Sequence, residues 1–177
     1  MLHAMQPPVA PAPAHRESAG EVVANGLVAG FIGYATVALL IGVTDVVQGR
    51  SFFFTAAMLG EAMFHGLTDP AHVVVEPGAV FAYNGLHLLT FLAIGLSAAW
   101  LAHLAERGAQ LWFPAVVLFL FIVAHAFGAV LLMTEELRAV LPAWLVGVPT
   151  LVALFAMAMY LLAMHPGLRR KPGEWND

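Results

Sequence analysis

Three polar residues stand close together in a stretch that otherwise consists mostly of residues suited to a lipid bilayer. The stretch VFAYNGLHLLTF, residues 80–91, contains Tyr83, Asn84 and His87. A further histidine, His125, stands in the similarly apolar stretch FIVAHAFGA. Ionisable side chains are costly inside a membrane and usually face a bundle interior or a functional cavity. These four residues are therefore the first candidates for a binding site.

The spacing of the two histidines predicts that they lie at the same depth. His87 lies eight residues after Ala79, where a predicted helix begins, and His125 lies eight residues before Met133, where the next one ends. At about 1.5 Å per residue, each is about 12 Å from the same membrane edge. Asn84 is one helical turn from His87 on the same face. Since the connection between the two helices is short, we expect them to be neighbours.

Four interpretations of these residues stay open. Two imidazoles at equal depth could be the axial ligands of a b-type haem, although hairpin helices about 8–10 Å apart leave little room for one. Tyr83 and His87 could instead serve a quinone or a proton. His65 and Glu61, at i and i+4, could join the histidines in a metal site. The simplest explanation is that a histidine and an asparagine on facing helices form a hydrogen bond, worth about 0.6–2 kcal/mol. We favour this explanation over the other three.

Composition indicates that these residues are carried by membrane helices. The chain is 61% hydrophobic and 10% charged, with a mean hydropathy of +0.85, whereas soluble domains are roughly 45–50% apolar and 25% charged. The absence of cysteine excludes disulfides, thiolate metal sites and cysteine nucleophiles. The net charge of −4 provides no basic surface for nucleic acid. We therefore predict an all-α integral membrane protein.

Four stretches are long and apolar enough to cross a hydrocarbon core, which takes roughly 20 helical residues. They cover residues 22–47, 79–105, 111–133 and 142–164. Backbone groups inside a bilayer must be hydrogen-bonded internally, so we predict four antiparallel transmembrane helices within a domain at residues 21–165. A shorter apolar stretch, residues 51–66, predicts a helix that lies at the outer interface or dips into it.

The distribution of charge predicts the orientation. Residues 1–20 form a Pro/Ala-rich tail without a fold of its own, and residues 166–177 form a basic tail. Five of the seven basic residues fall on the side that holds both tails, and only Arg50 and Arg138 fall on the other side. We therefore predict that both termini are cytoplasmic, in a bacterial inner membrane.

The opposite, outer side is acidic. Its acidic residues are Asp45, Glu61, Asp69, Glu76, Glu135 and Glu136. Such a surface can attract a basic soluble electron carrier, although ordinary solvated loop charge explains the same residues. Asp45, at the end of the first helix, is expected to pair with Arg50 or to cap a turn.

Small residues predict where helices pack. Gly26, Gly30 and Gly33 share one face of the first helix, Gly95 lies on the second, and Gly128 lies on the third. Faces of this kind let backbones approach in lipid, either within a bundle or between subunits. The methionines share no local copper-binding spacing and are interpreted as packing residues.

Catalytic motifs are missing from the sequence. It contains no phosphate-loop, dinucleotide, zinc-protease or serine-hydrolase motif. We therefore expect an accessory or structural subunit of a larger respiratory or photosynthetic membrane complex, in contact with lipid and other membrane subunits, rather than an enzyme. The alternative is a membrane electron-transfer subunit that binds a b-type haem or a quinone near His87 and His125.

Overall fold

Every regular element that the structure describes is a helix. The structure is a computed structural model, and it describes residues 18–107, 112–131 and 133–169. Its α-helices are α1 (Ala19–Val47), α2 (Phe54–His65), α3 (Pro77–Glu106), α4 (Trp112–Leu131), α5 (Glu135–Val140) and α6 (Ala143–Met164), and short 3-10 helices cover Pro70–His72 and Pro166–Arg169. The predicted all-α class is confirmed. The greater part of both predicted tails, residues 1–17 and 170–177, lies outside the described residues.

Three of these helices are long and apolar enough to span a membrane. They are α1, α3 and α6, with 29, 30 and 22 residues. The helix α4 contributes a shorter apolar stretch, Phe113–His125, and residues 111 and 132 of the crossing predicted there lie outside the described residues. These helices indicate a membrane protein, as the composition predicts.

The start of α1 is set by a capping box. The Ser18 side chain accepts a hydrogen bond from the Glu21 backbone N–H at 3.3 Å, and the Glu21 carboxylate accepts one from the Ser18 N–H at 2.6 Å. Two donors that a helix start leaves unsatisfied are thereby paired. The helix therefore begins at Ala19, three residues before the predicted start at residue 22.

The helix α1 packs against both α3 and α6. Gly26 lies against Leu96 of α3, while the Tyr34 hydroxyl reaches Asn84 further back along the same helix. Later residues of α1 therefore contact earlier residues of α3, so the two helices are antiparallel.

The helix α6 is also antiparallel to α1. The Tyr160 hydroxyl donates to Asn25 Oδ1 at 3.1 Å, near the start of α1. Just after the C-terminal end of α6, the Gly167 N–H donates to the Glu106 carboxylate at 3.0 Å. Glu106 is the last residue of α3. Both ends of the described chain therefore lie at the same end of the bundle as the end of α3.

Glycines determine how closely α1 and α3 approach. A Cβ atom on Gly30 would lie 2.7 Å from the Leu92 Cα, and one on Gly95 would meet the Gly30 Cα at 2.7 Å. Helices this close gain dispersion contacts along their backbones, which is the main source of packing energy in lipid. The core around this contact also includes α6. Its buried residues are Val22, Ala29, Val37, Phe91, Ile94, Ala99, Ala153, Met157 and Leu161.

A buried ion pair joins the end of α1 to the start of α2. Asp45 is 1% exposed and accepts hydrogen bonds from Arg50 Nη2 at 2.7 Å and from the Thr55 N–H and hydroxyl at 2.9 Å each. The Arg50 guanidinium also lies 4.5 Å from the centre of the Phe54 ring. The predicted pairing of Asp45 with Arg50 is confirmed, and it fixes the turn between the two helices.

The helix α2 packs across one end of the bundle. A Cβ on Gly60 would meet the Ala79 backbone, so α2 lies directly on the start of α3. A second buried cluster joins α2 to α5 and to the start of α6. Its members are Met58, Leu59, Leu137, Leu141 and Leu145. The α2 and α5 helices therefore lie opposite the end that holds the described chain termini.

We predict that Gly30→Ala destabilises the protein whereas Gly128→Ala does not. The Gly30 substitution places a methyl group against the backbone of Leu92, and overpacking of this kind typically costs about 1–3 kcal/mol. A Cβ on Gly128 would meet no atom of the described residues within 4 Å, so the control gains only helix propensity. Thermal unfolding in mild detergent measures both. Equal unfolding temperatures for Gly30→Ala and the unmodified chain would contradict the close packing.

Candidate functional site

The two candidate histidines are adjacent. His87 on α3 and His125 on α4 have ring centroids 5.6 Å apart, with the ring planes inclined at 32°. We expect the two histidines to lie close together because they have equal predicted depth and their helices are joined by a short connection. The distance between their rings agrees with this expectation. The contact occurs on the α4 side of α3, and α1 covers another side of the same histidine.

His87 is surrounded by aromatic rings. The Tyr83 ring, one turn earlier on α3, stacks on the imidazole with centroids 5.4 Å apart and planes inclined at 19°. The Phe91 ring, one turn later, contacts it edge-on at 5.0 Å, and Tyr34 of α1 approaches to 6.2 Å. The position of the imidazole is therefore set mainly by ring contacts.

One nitrogen of His87 has no hydrogen-bond partner among the described residues. Its Nε2 atom is buried and forms no hydrogen bond with any residue that the structure describes. Leaving a buried polar atom unsatisfied costs roughly 1–3 kcal/mol, and native proteins rarely accept that cost without a reason such as a ligand. This nitrogen is the clearest indication that the site binds something.

Asn84 forms a bridge to α1 and does not bond to His87. Its Oδ1 accepts a hydrogen bond from the Tyr34 hydroxyl at 3.0 Å, and its Nδ2 donates to the Val80 carbonyl at 2.9 Å. Tyr34 was not among the site residues proposed from the sequence. The signal that could have identified it is a single phenol in the middle of an apolar helix, where its hydroxyl requires a partner.

A cavity of about 560 Å³ lies between α1, α2 and α3. We call it the main cavity. Its polar side chains are Tyr34, Tyr83, Asn84 and His87, with Thr55 at the α2 side, and the remaining lining is apolar. Small-molecule sites are typically clefts of roughly 300–1,000 Å³ with mostly apolar walls and a few placed polar groups. The main cavity has that size and that distribution of polar groups.

Two smaller spaces continue from this region towards the α2 and α5 end. The histidine cavity, about 100 Å³, is lined by His87, His125, Met63 and Met133 among others. The end cavity, about 340 Å³, shares Leu59, Met63, Tyr83 and Met133 with it and includes Thr68 and Thr134. Tyr83 lines all three spaces. The phenol therefore stands where they meet.

The other metal candidates proposed from the sequence form a separate pair. His65 Nδ1 lies 2.9 Å from a Glu61 carboxylate oxygen, and the His65 side chain is 58% exposed. Neither residue lines any of the three cavities. Within the described part of the chain, no three His, Cys, Asp or Glu side chains gather as a metal site. The structure does not bring Glu61 and His65 together with the histidine pair.

The five glycines proposed as packing positions occupy different surroundings. Gly26, Gly30 and Gly95 lie at the contact of α1 with α3, and Gly33 lies against Phe91 and Met157. A Cβ on Gly128 of α4 would have no atom of the described part of the chain within 4 Å. The first four therefore serve contacts within the chain, and the face that carries Gly128 is not covered by the described residues.

Volume limits what can lie between the two imidazoles. The histidine cavity, about 100 Å³, is well below the roughly 300–1,000 Å³ of pockets for drug-sized ligands. A porphyrin belongs to that larger class, so it does not fit between the rings as they stand. The main cavity, on another side of His87, has a volume of the required order.

Comparison of the chain with protein-family models, with curated proteins and with solved structures finds no match. The chemistry of the site is therefore inferred from its own residues.

We predict that His87→Phe leaves the stability of the ligand-free protein unchanged or raises it. The substitution removes an unsatisfied buried nitrogen and keeps the ring contacts with Tyr83 and Phe91. The control is His165→Phe, because His165 is 0% exposed and its Nδ1 lies 2.9 Å from the Leu161 carbonyl oxygen. That control should lose about 0.5–1.5 kcal/mol, the value of one hydrogen bond, because the Leu161 carbonyl still accepts the backbone N–H of position 165. Thermal unfolding in detergent compares them, and an equal loss for His87→Phe would make His87 a structural residue.

Proposed function

We propose that the protein binds a quinone-class ligand in the main cavity, that is, a ring with two oxygen substituents and an apolar tail. The observation that carries this proposal is an apolar cavity of about 560 Å³ in which Tyr34, Tyr83, Asn84 and His87 supply the polar groups near one side. A ring ligand needs apolar walls for most of its surface and a few polar atoms for its oxygens. The main cavity offers both.

The polar groups suit a ligand that exists in two protonation states. A quinone oxygen accepts hydrogen bonds, whereas the hydroxyl of the reduced form also donates one. A neutral imidazole nitrogen does either, depending on the tautomer, and His87 Nε2 has no competing partner among the described residues. The Tyr34 hydroxyl and the Asn84 amide, already bonded to each other at 3.0 Å, would orient the second oxygen.

The ligand would enter from the lipid. Leu39 and Phe81, both in the lining of the main cavity, are 58% and 76% exposed. They lie on the apolar surfaces of α1 and α3, which are long and apolar enough to span a membrane. A tail attached to the ring would pass between these side chains into the acyl-chain region, so the ligand would not need to cross water.

The proposal also assigns the helices and the chain termini to positions relative to the membrane. We take α4 as a fourth crossing, and its apolar exposed side chains support this placement. We place α2 at the outer interface, supported by its Phe64, which is 48% exposed, and by Phe53 just before it, which is 49% exposed. The excess of basic residues near both chain ends supports cytoplasmic termini in a bacterial inner membrane. The site would then lie nearer the outer membrane edge.

A b-type haem with His87 and His125 as axial ligands is less well supported. The two imidazole centroids are 5.6 Å apart, and a porphyrin between them would require α3 and α4 to separate along their whole contact. A quinone requires no such movement, because the main cavity is already present. The quinone form of the electron-transfer alternative is therefore preferred.

A second candidate function, an accessory subunit of a larger respiratory or photosynthetic membrane complex, is favoured by the packing of α4. None of the α4 side chains that the structure describes is buried, and its contacts with α3 and α6 are sparse compared with those of α1. A neighbouring membrane subunit would cover this face. At the outer end, the exposed Glu135 and Glu136 would meet a basic soluble electron carrier.

We predict that cavity variants weaken quinone binding in a graded way. Equilibrium dialysis of the detergent-solubilised protein against decylubiquinone should give one site per chain, lost in Ala38→Phe, which fills the main cavity. Tyr34→Phe and Asn84→Leu each remove about one hydrogen bond, worth about 0.5–1.5 kcal/mol, and should weaken binding roughly 2- to 10-fold.

The matched control is Tyr160→Phe, which removes a hydroxyl bonded to Asn25 away from the main cavity. It should leave the dissociation constant unchanged. Full binding by Ala38→Phe, with an unfolding temperature equal to that of the unmodified chain, would refute the site. An equal effect of Tyr160→Phe and Tyr34→Phe would also refute it.

For the subunit candidate, we predict specific cross-linking through α4. A photo-reactive residue in place of Phe119, which is 60% exposed on α4, should give one discrete protein adduct in native membranes. The same residue in place of Phe155, which is 69% exposed on α6, should give mainly lipid adducts. Lipid adducts at both positions would show that α4 faces the bilayer and not a neighbouring subunit.

A further inference from the structure

We propose that the histidine cavity binds one monovalent copper ion, with His87 and His125 as imidazole ligands and Met63 and Met133 as thioether ligands. All four residues line the same space of about 100 Å³. This is a site distinct in composition from the main cavity, because His125, Met63 and Met133 do not line the main cavity.

The donor set determines which ion would be bound. Thioether sulfur is a soft ligand that selects Cu(I), and imidazole also suits copper. Among the described residues, the lining of the histidine cavity contains no carboxylate, so no ligand there would offset the second charge of a divalent ion. Because burying an uncompensated charge is expensive, a monovalent soft ion is preferred over Zn²⁺ or Mg²⁺.

The separation of the two imidazoles fits one shared ion. A metal about 2.0 Å from one nitrogen of each ring holds the ring centroids at most about 6 Å apart. The observed separation is 5.6 Å, which is within that limit. The buried Nε2 of His87 has no hydrogen-bond partner in the described residues, so its lone pair is available without breaking a bond.

The methionines also lie on a path by which an ion could enter. Met63 and Met133 line both the histidine cavity and the larger end cavity at the α2 and α5 end of the bundle. Met63 is 49% exposed. Its unbranched, flexible side chain can turn from the end cavity towards the histidines. An ion would therefore meet the thioethers before it reaches the imidazoles.

Sequence spacing does not reveal this arrangement. Met63 belongs to α2 and Met133 follows α4, and they are 70 residues apart in the printed sequence. From the sequence alone, the methionines are interpreted as packing residues because they do not cluster at a copper-binding spacing. The packing of α2 on the start of α3 places Met63 on the same cavity as Met133 and the two histidines.

The test is an anaerobic Cu(I) titration of the full-length protein in mild detergent, in competition with the chromophoric chelator bicinchoninate. The unmodified protein should hold one Cu(I) per chain, and His125→Ala should lose it. Met63→Leu and Met133→Leu should each weaken copper binding by roughly 10- to 100-fold. Loss of a group that only supports a metal ligand already costs that much. The control Met159→Leu, on a side chain that is 53% exposed on α6 and outside all three cavities, should bind like the unmodified chain.

X-ray absorption of the Cu(I)-loaded protein supplies the second measurement. The unmodified protein should show sulfur as well as nitrogen neighbours, and the double variant Met63→Leu with Met133→Leu should show nitrogen neighbours alone. The absence of sulfur in the unmodified protein, the absence of bound copper, or unchanged binding by His125→Ala would each overturn the proposal. His87 Nε2 can serve the copper ion or a quinone oxygen but not both at once, so each titration uses protein free of the other ligand. Under those conditions Tyr34→Phe should leave copper binding intact and His125→Ala should leave quinone binding intact, so each proposal can be refuted without the other.

Discussion

The close approach of α1 and α3 is the contact on which the rest of the structure depends. In lipid there is no hydrophobic force between helices, so α1 and α3 are held by backbone contact at Gly26, Gly30 and Gly95. That contact aligns the antiparallel pair so that Tyr34 meets Asn84 at 3.0 Å. Beyond Gly33, α1 lines the main cavity from Tyr34 onwards.

His87 combines the contacts that make this region suited to binding. Its ring is held by Tyr83 and Phe91, it borders both the main cavity and the histidine cavity, and its Nε2 is buried without a partner among the described residues. A purely structural histidine would be expected to use that nitrogen. The ion pair of Asp45 and Arg50 holds the start of α2 over the same region and so closes the cavity on a third side.

The sequence predicted the helices and the histidine pair because both follow from local rules. Hydropathy identifies the long apolar helices. His87 and His125 are predicted to be neighbours because they lie at equal depth on two helices that are joined by a short connection. The bond between Tyr34 and Asn84 was not predicted, because it depends on how α1 and α3 are rotated about their axes, which hydropathy does not determine. The placement of Met63 and Met133 on one cavity depends on the packing of α2, and the open side of Gly128 depends on the sparse contacts of α4. The early start of α1 could have been predicted from Ser18 and Glu21, which match a capping box.

We propose that His87 and its neighbours bind a ligand and do not merely join helices. The most direct test is an oxidised-minus-reduced absorption spectrum of the protein as purified in mild detergent, with extraction of its bound small molecules. We predict an ultraviolet quinone signal at about one quinone per chain, reduced in His87→Ala, and no haem absorption band. A haem band at one haem per chain that is lost in His87→Ala would contradict the quinone assignment. A protein that neither retains nor takes up a ligand would leave His87 as a packing residue.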